Sequence, residues 1–430
     1  MMDSKVLHTP EGVRDIYSDE LQKKIALQNT LMKTFRCFGF QRIATPVFEF
    51  FDVFSKEIGT TRSNELYKFF DKEGNTLALR PDFTPSIARC AAKYYMEEEL
   101  PLHFSYCGNT FVNTSDLQGK LKEGTETGIE LIGGDKSDEA RVISDAEVLH
   151  MAVCALKAAG LKDFQISIGN VEFLKGLCQE AGLSDELEEA VRRQISNKNY
   201  FGVEELILEA GIAKDKAEGF LKLTELFGDE SCLAEAEKIV SNKQSKQALK
   251  HLSKVNALLS EMGDSDHISY DLGMVNKYNY YTGIIFRAYT YGVGDAILKG
   301  GRYDSLLSYF GKDAAAIGFV IPVDELMSAM VSQKLLSGKK REIDHLVYDS
   351  AMAKDALKLA DVLRSRGDNM MCSPYSKGKD IAEYVAYGNR NLIRKLYHLT
   401  SDGKILVYDL SDDSPDGLPV DNLELTDLIK

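Results

Sequence analysis

SYCGNTFVNTSDLQGKLKEGTETGIELIGG, residues Ser105–Gly134, is the stretch on which the fold turns. LHFSYCGNTF and GTETGIELIGG, at its two ends, read as strands, and the polar, lysine-containing VNTSDLQGKLKE between them reads as a loop. In the second strand Glu126 and Glu130 lie four residues apart, so at a period of two they share one face. Upstream, Leu21–Cys37 has helical spacing, and FGFQRIATPVFEF is an exposed turn followed by a strand. Two short strands follow around Glu65–Phe70 and Thr76–Arg80, joined by the polar turn DKEGN, with a helix after Pro81.

Downstream, Ser137–Gly160 predicts a strongly amphipathic helix and FQISIGN a strand. Residues 171–262 are rich in Glu, Lys, Leu and Ala with little strand signal, which predicts an all-helical insertion. Strand character returns in HISYDLG, YTGIIFRAYT and AILKGG, then a helix at Asp304–Tyr309, then AAIGFVIPVDELMSAM as a strand entering a helix. The expected division is a core over 1–170 and 263–330, the insertion, a linker over 331–343 and a small α/β domain over 344–430. The acidic SDDSPDG in that last domain reads as a solvated loop.

At 430 residues with 44% hydrophobic and 27% charged composition, this is an ordinary globular chain that needs no staples. Its seven cysteines are scattered and never form C-x-x-C, which fits free thiols rather than a zinc site or a disulfide framework. The seven histidines (His8, His103, His150, His251, His267, His345 and His398) show no metal-ligand spacing. With no signal-peptide core and no membrane-length apolar run, a cytoplasmic location without membrane contact is expected. A net charge of −14 disfavours nucleic acid as a partner.

Four segments carry chemistry: LRPDFTPSIAR (Leu79–Arg89), Ser105–Gly134, YDLGMVNKYNYYTGIIF (Tyr270–Phe286), and LKGGRYDSLL with AAIGFVIPVDEL (Leu298–Leu307, Ala315–Leu326). Taken alone, Tyr280 and Tyr281 read as strand aromatics filling a core, and Glu126 and Glu130 as a solvated face. In this order, with a helical insertion between the second and third, the segments resemble histidyl-tRNA synthetase over about residues 8–330. The resemblance implies an α+β fold, a class II aminoacyl-tRNA synthetase-like antiparallel sheet core with helical insertion and a small C-terminal α/β domain. It also implies that Asp82 and Thr84 contact a substrate ammonium, that Glu130 reads an imidazole, and that Tyr280 and Tyr281 line the ring. Glu126, which replaces a glutamine of the family, joins them as the sixth residue the resemblance places at the histidine site. An imidazole between a carboxylate and a phenol has an acceptor and a donor for its two nitrogens.

The ATP-handling half departs from that pattern. Arginine is the residue of choice for gripping phosphate, and losing one transition-state donor typically costs roughly 10²–10³ in rate. Where the family's second motif has Phe-Arg and then Glu, this chain has Phe111-Val112-Asn113-Thr114. Asn276 stands at a second arginine position, and Glu325 reverses the charge of a third in Gly318–Glu325. Arg80 and Arg302 alone remain in recognisable family contexts, and no catalytic residue, cofactor or metal is assigned.

A synthetase-like chain that keeps the amino-acid pocket and lacks ATP chemistry resembles the regulatory subunit of short-form ATP phosphoribosyltransferase. That family implies a non-enzymatic partner of a small catalytic subunit in a hetero-octamer, a homodimer through the class II-like core, and histidine as effector in the first step of histidine biosynthesis. The domain after Lys340, which looks like a shortened anticodon-binding domain, carries 11 Lys+Arg against 14 Asp+Glu from His345 onward, which does not suit a tRNA grip. The competing readings are a divergent histidine–tRNA ligase and a stand-alone histidine-binding protein. Val112, Asn276 and Glu325 separate the first from the regulatory reading.

Overall fold

A computed structural model describes residues 7–54, 61–114, 121–275, 280–336, 341–376, 378–411 and 419–424. The chain divides into two compact units, Met1–Asp15 with Lys24–Leu336, and Ile16–Lys23 with Ser337–Lys430. The chain enters through helix α1 (Ser18–Cys37), which buries Leu27, Leu31 and Phe35 at a spacing of four. Strands β1 (Gln41–Arg42), β2 (Phe48–Phe50), β3 (Lys68–Phe70) and β4 (Thr76–Leu79) follow, and β2, β4 and β3 form a small antiparallel sheet in that order. Asp71 closes the β3–β4 turn by accepting from both the backbone and side-chain amides of Asn75, at 2.7 and 2.8 Å.

Then come α2 (Thr84–Tyr94), β5 (Leu102–Phe111), β6 (Glu123–Ile132), α3 (Asp138–Ala159) and β7 (Gln165–Asn170). Six helices occupy the next segment: α4 (Val171–Ala181), α5 (Asp185–Ser196), α6 (Tyr200–Glu209), α7 (Lys214–Leu221), α8 (Ser231–Ile239) and α9 (Lys243–Glu261). The expected all-helical insertion is corrected here. Between α7 and α8 lies a two-residue strand, β8 (Phe227–Gly228), which pairs antiparallel with β9 (Ile268–Asp271). Gly228, at φ 133, has a backbone angle open chiefly to glycine, and two residues are too short to leave a periodic signal.

The core then closes with β10 (Ile284–Tyr289), β11 (Leu298–Arg302), β12 (Ala316–Pro322) and α10 (Val323–Ser332). The main sheet, among the described residues, runs β1-β5-β6-β12-β11-β10-β7-β9-β8, antiparallel except for the β1–β5 and β7–β9 pairs. The helix expected at Asp304–Tyr309 is a 3₁₀ segment, Leu306–Phe310, stopped by Gly311 in the left-handed conformation.

Helix α3 needs a second correction. Ser137 caps its start by accepting from the Ala140 amide, and Gly160 ends it at φ 102, as the sequence suggests. It is not strongly amphipathic, however, because Val148, Leu149, Met151, Ala152, Val153, Ala155 and Leu156 are all buried. Packed between β12 on one side and α9 on the other, its middle has no solvent face to mark with polar residues. The large core cluster joins this helix to α1 and to one face of the sheet through Ile129, Phe286, Leu298, Ile317 and Phe319. The opposite face is left for the cavity described below.

The second unit holds β13 (Ile343–Tyr348), α11 (Ala353–Ser365), β14 (Asn369–Pro374), α12 (Ile381–Arg390), β15 (Ile393–Leu399), β16 (Lys404–Asp409) and β17 (Asp421–Glu424). Its sheet order is β14-β13-β15-β16-β17, parallel among the first three strands and antiparallel beyond. Most of the acidic segment expected to be a solvated loop lies outside the described residues.

Candidate functional site

Strand parity builds the floor of a cavity of about 560 Å³ on the free face of the main sheet. Residues of one parity on β6 and β12 (Ile129, Leu131, Ile317, Phe319) enter the core, so Glu126 and Glu130 on β6 and Gly318 and Val320 on β12 face the cavity. Asp82 and Thr84, at the start of α2, join them from above, and Tyr280 and Tyr281 from the approach to β10. All six residues that the resemblance assigned to the ligand therefore meet in one place.

Two glycines make the packing possible. Gly318 is the register partner of Glu130, and a Cβ there would meet the Glu130 carboxylate as well as the Ile129 carbonyl, at 1.9 and 2.4 Å. A Cβ on Gly301 would lie 2.7 Å from the Tyr281 ring and equally close to the Ile284 carbonyl. Only a bare backbone lets the acid and the phenol lie flat over the sheet.

The site is acidic and its acids are incompletely paired. Glu130, 2% exposed, accepts a hydrogen bond from the Thr84 hydroxyl at 2.6 Å and another from the Tyr303 hydroxyl. Thr84 is thus engaged in positioning Glu130. Burial pushes the Glu130 carboxyl up to about 8, while those two hydrogen bonds pull the other way. Among the described residues, the Asp82 oxygens and Glu126 Oε2 are shut off from solvent and make no well-formed hydrogen bond, although the Thr84 backbone N–H lies close enough to Asp82 to oppose its rise. Burial holds Asp82 near 7. Burial and then the like charge of Asp82 push Glu126 up to about 8, with Lys299 opposing and Glu325 adding to the rise. Tyr280 and Tyr281 stack obliquely with ring centroids 4.2 Å apart. Incompletely compensated buried acids beside aromatic walls can accept donors from a cationic group and pack against a ring.

Tyr303 and Tyr106 line this cavity and escaped the sequence reading as site residues. Tyr303 lies inside the quoted GGRYD, so a signal was present, but its contact with Glu130 depends on how β11 ends. Tyr106 stacks on Phe83 at 4.4 Å, a pairing across two elements that spacing does not reveal.

The remaining motif arginines point elsewhere. Arg80 stacks on Phe83 at 4.0 Å and donates to the carbonyls of Asn109 and Thr45, at 2.8 and 2.9 Å. Arg302 is buried and donates to Asp145 at 2.6 and 2.9 Å, to Ser144 and to Asp304. Neither lines the cavity, and neither do Val112 and Glu325. Asn276 lies outside the described residues. Among the described residues, no cluster of His, Cys, Asp or Glu is arranged to hold a metal, and no helix is long and apolar enough to cross a membrane. His150 and His251 are tied to Asp264 and Asp145, at 2.6 and 2.7 Å.

Comparison with known proteins agrees with this architecture. The histidyl-tRNA synthetase family model matches residues 12–326. An ATP phosphoribosyltransferase regulatory subunit of Ruminiclostridium cellulolyticum is 38% identical over 97% of this chain and 98% of its own length. One from Acetivibrio thermocellus is 42% identical over 84% and 85%. The crystal structure of an ATP phosphoribosyltransferase regulatory subunit/histidyl-tRNA synthetase from Bacillus halodurans superposes with a TM-score of 0.81 at 28% identity, covering 92% of this chain and 98% of that one. Histidyl-tRNA synthetase from Nostoc, at 20% identity and a TM-score of 0.78, shares the fold. The histidyl-tRNA synthetase-like core over residues 12–326 and the close kinship over nearly the whole length of the curated relatives place this chain in the family of ATP phosphoribosyltransferase regulatory subunits.

Proposed function

We propose that this chain regulates a short-form ATP phosphoribosyltransferase catalytic subunit in the first step of histidine biosynthesis, raising its activity and reporting free histidine to it. The observation that carries this reading is the cavity with three poorly compensated carboxyls beside two tyrosines, while the motif arginines Arg80 and Arg302 lie outside it. Free histidine supplies an ammonium and an imidazole to those groups. Asp82 and Glu126 offer unpaired oxygens to the ammonium. Glu130, held by Thr84 and Tyr303, keeps lone pairs for an imidazole N–H.

The same reading makes the chain a non-catalyst. Val112, Asn276 and Glu325 stand where a synthetase has arginines, and the two remaining motif arginines, Arg80 and Arg302, are engaged in the fold. Assembly as a homodimer through β2–β4 accords with the apolar surface there: Phe48, Phe50 and Phe70 are 52, 57 and 73% exposed. A hetero-octamer with the catalytic subunit is the assembly we infer from the family.

Calorimetric titration of the purified chain, alone and with its catalytic partner, tests the proposal. Histidine binds the wild type, Glu130→Ala removes that binding, and no histidine-dependent exchange of pyrophosphate into ATP is seen. Exchange at about 1 s⁻¹, an ordinary enzymatic turnover, overturns the regulatory reading. Absence of histidine binding in both preparations overturns the sensing one.

A further inference from the structure

A histidine pocket needs a cation for the ligand's carboxylate as well as acids for its ammonium and ring. Among the described residues, the cavity wall holds two cationic side chains, Arg287 on β10 and Lys299 on β11. Register places Arg287, Lys299, Val320 and Gly128 in one row across four adjacent strands, since Arg287 pairs with Lys299, Lys299 with Val320 and Val320 with Gly128. Glu126 and Glu130 flank Gly128 on the same face of β6. The β6 acids lie at one end of the floor and the two cations toward the other, where Asp295 of the β10–β11 connection also lines the wall, and Lys299 stands two strands from Glu126 and Glu130. At the usual strand spacing that is roughly 10 Å between backbones. The width suits a lysine side chain reaching toward an amino acid held by Asp82 and Glu126.

The two cations are not equivalent. Arg287 donates to the Val275 carbonyl at 3.1 Å and is occupied in holding the backbone there. Lys299 is exposed and has no hydrogen bond or ion pair among the described residues. Resting on the proposed histidine-binding reading of this cavity, we infer that Lys299 is the specificity residue that binds the ligand's α-carboxylate. Its charge is already felt across the cavity, where it opposes the rise of Glu126. A lysine on the open side lets the pocket tell an α-amino acid from the amine that lacks a carboxylate, at a distance from the tightly packed Glu130 end.

The experiment titrates the full-length wild type, Lys299→Met and Lys299→Arg with L-histidine and, separately, with histamine, following heat. Loss of one hydrogen bond to a charged group predicts roughly ten- to a hundredfold weaker histidine binding by Lys299→Met. Histamine binding by the same variant stays as tight as in the wild type or tightens, because a positive charge has left an acidic cavity. Lys299→Arg recovers most of the histidine affinity. Thermal melts of the variants check the fold, which an exposed side chain should leave intact. Unchanged histidine affinity in Lys299→Met, or an equal loss for both ligands, overturns the assignment. A wild type that binds neither ligand overturns the histidine reading and takes this inference with it, whereas a wild type that binds histamine as tightly as histidine overturns the inference alone.

Discussion

Asp82, Glu126 and Glu130 bring three carboxyls into a volume that provides too few donors for them, and the consequence is measurable. Burial raises Glu126 and Glu130 from an ordinary 4.5 to about 8 and Asp82 from 3.8 to about 7. A carboxyl that holds its proton more tightly when folded binds more protons in the native state than in the unfolded one across that window. Stability therefore falls as pH rises from the unfolded values through the folded ones. The melting temperature of the ligand-free chain should decline between about pH 4 and about pH 8 and level off above that, and Glu126→Gln should flatten the decline. A cationic ligand reverses the balance by favouring the ionised acids, so histidine binding near neutral pH should release protons. Titrations in buffers of different ionisation enthalpy read that release directly, and a buffer-independent heat would contradict it. The sequence showed that Glu126 and Glu130 share a face, because that follows from a period of two. That Tyr303 holds Glu130, and that Thr84 is spent on the same task, was hidden, because both contacts cross between elements distant in the chain.

At the scale of elements, Arg302 is the instructive case. Its place in GGRYD marks it as a motif residue, yet its guanidinium joins β11 to α3 through Asp145, which also accepts from His251 on α9. Sheet, central helix and insertion thus share one buried charge, since Asp145 has no solvent exposure. Removing one partner of such a pair leaves an uncompensated ion in the interior, which costs about 3–5 kcal/mol. Arg302→Met should lower the free energy of unfolding by that amount, read as a lower urea midpoint at unchanged slope, and a loss below about 0.5 kcal/mol would place Arg302 outside the framework. Strands β5, β6, β7 and β10–β12 could be read from composition and alternation. The buried nature of α3 could not, because a helix covered on both sides lacks the polar face from which orientation is inferred. The short β8 left no trace for a similar reason, since two residues carry no period.

On the scale of the whole molecule, the exposed phenylalanines of β2 and β3 argue that the chain is not solitary. Light scattering at micromolar concentration should give a dimer, and a monomer across that range would count against a shared class II-like interface. The larger expectation concerns coupling to the catalytic partner. A ligand changes a partner's activity only through different affinities for two states of the complex. On the proposed reading the cavity has two such states: without ligand, burial draws Asp82, Glu126 and Glu130 toward their protonated forms, and with histidine they would be ionised, with Tyr280, Tyr281 and Lys299 around the ligand. Adding this chain to a short-form catalytic subunit should raise its activity, and histidine should then lower the activity of the complex. Tyr281→Ala strips a wall from the ligand while leaving the exposed surface of the chain unaltered. It should therefore weaken inhibition by histidine and spare activation. Dose–response curves of wild-type and variant complexes, measured at one protein concentration, decide the matter. If the two curves coincide, histidine acts through another site, and the cavity on the main sheet serves a different ligand.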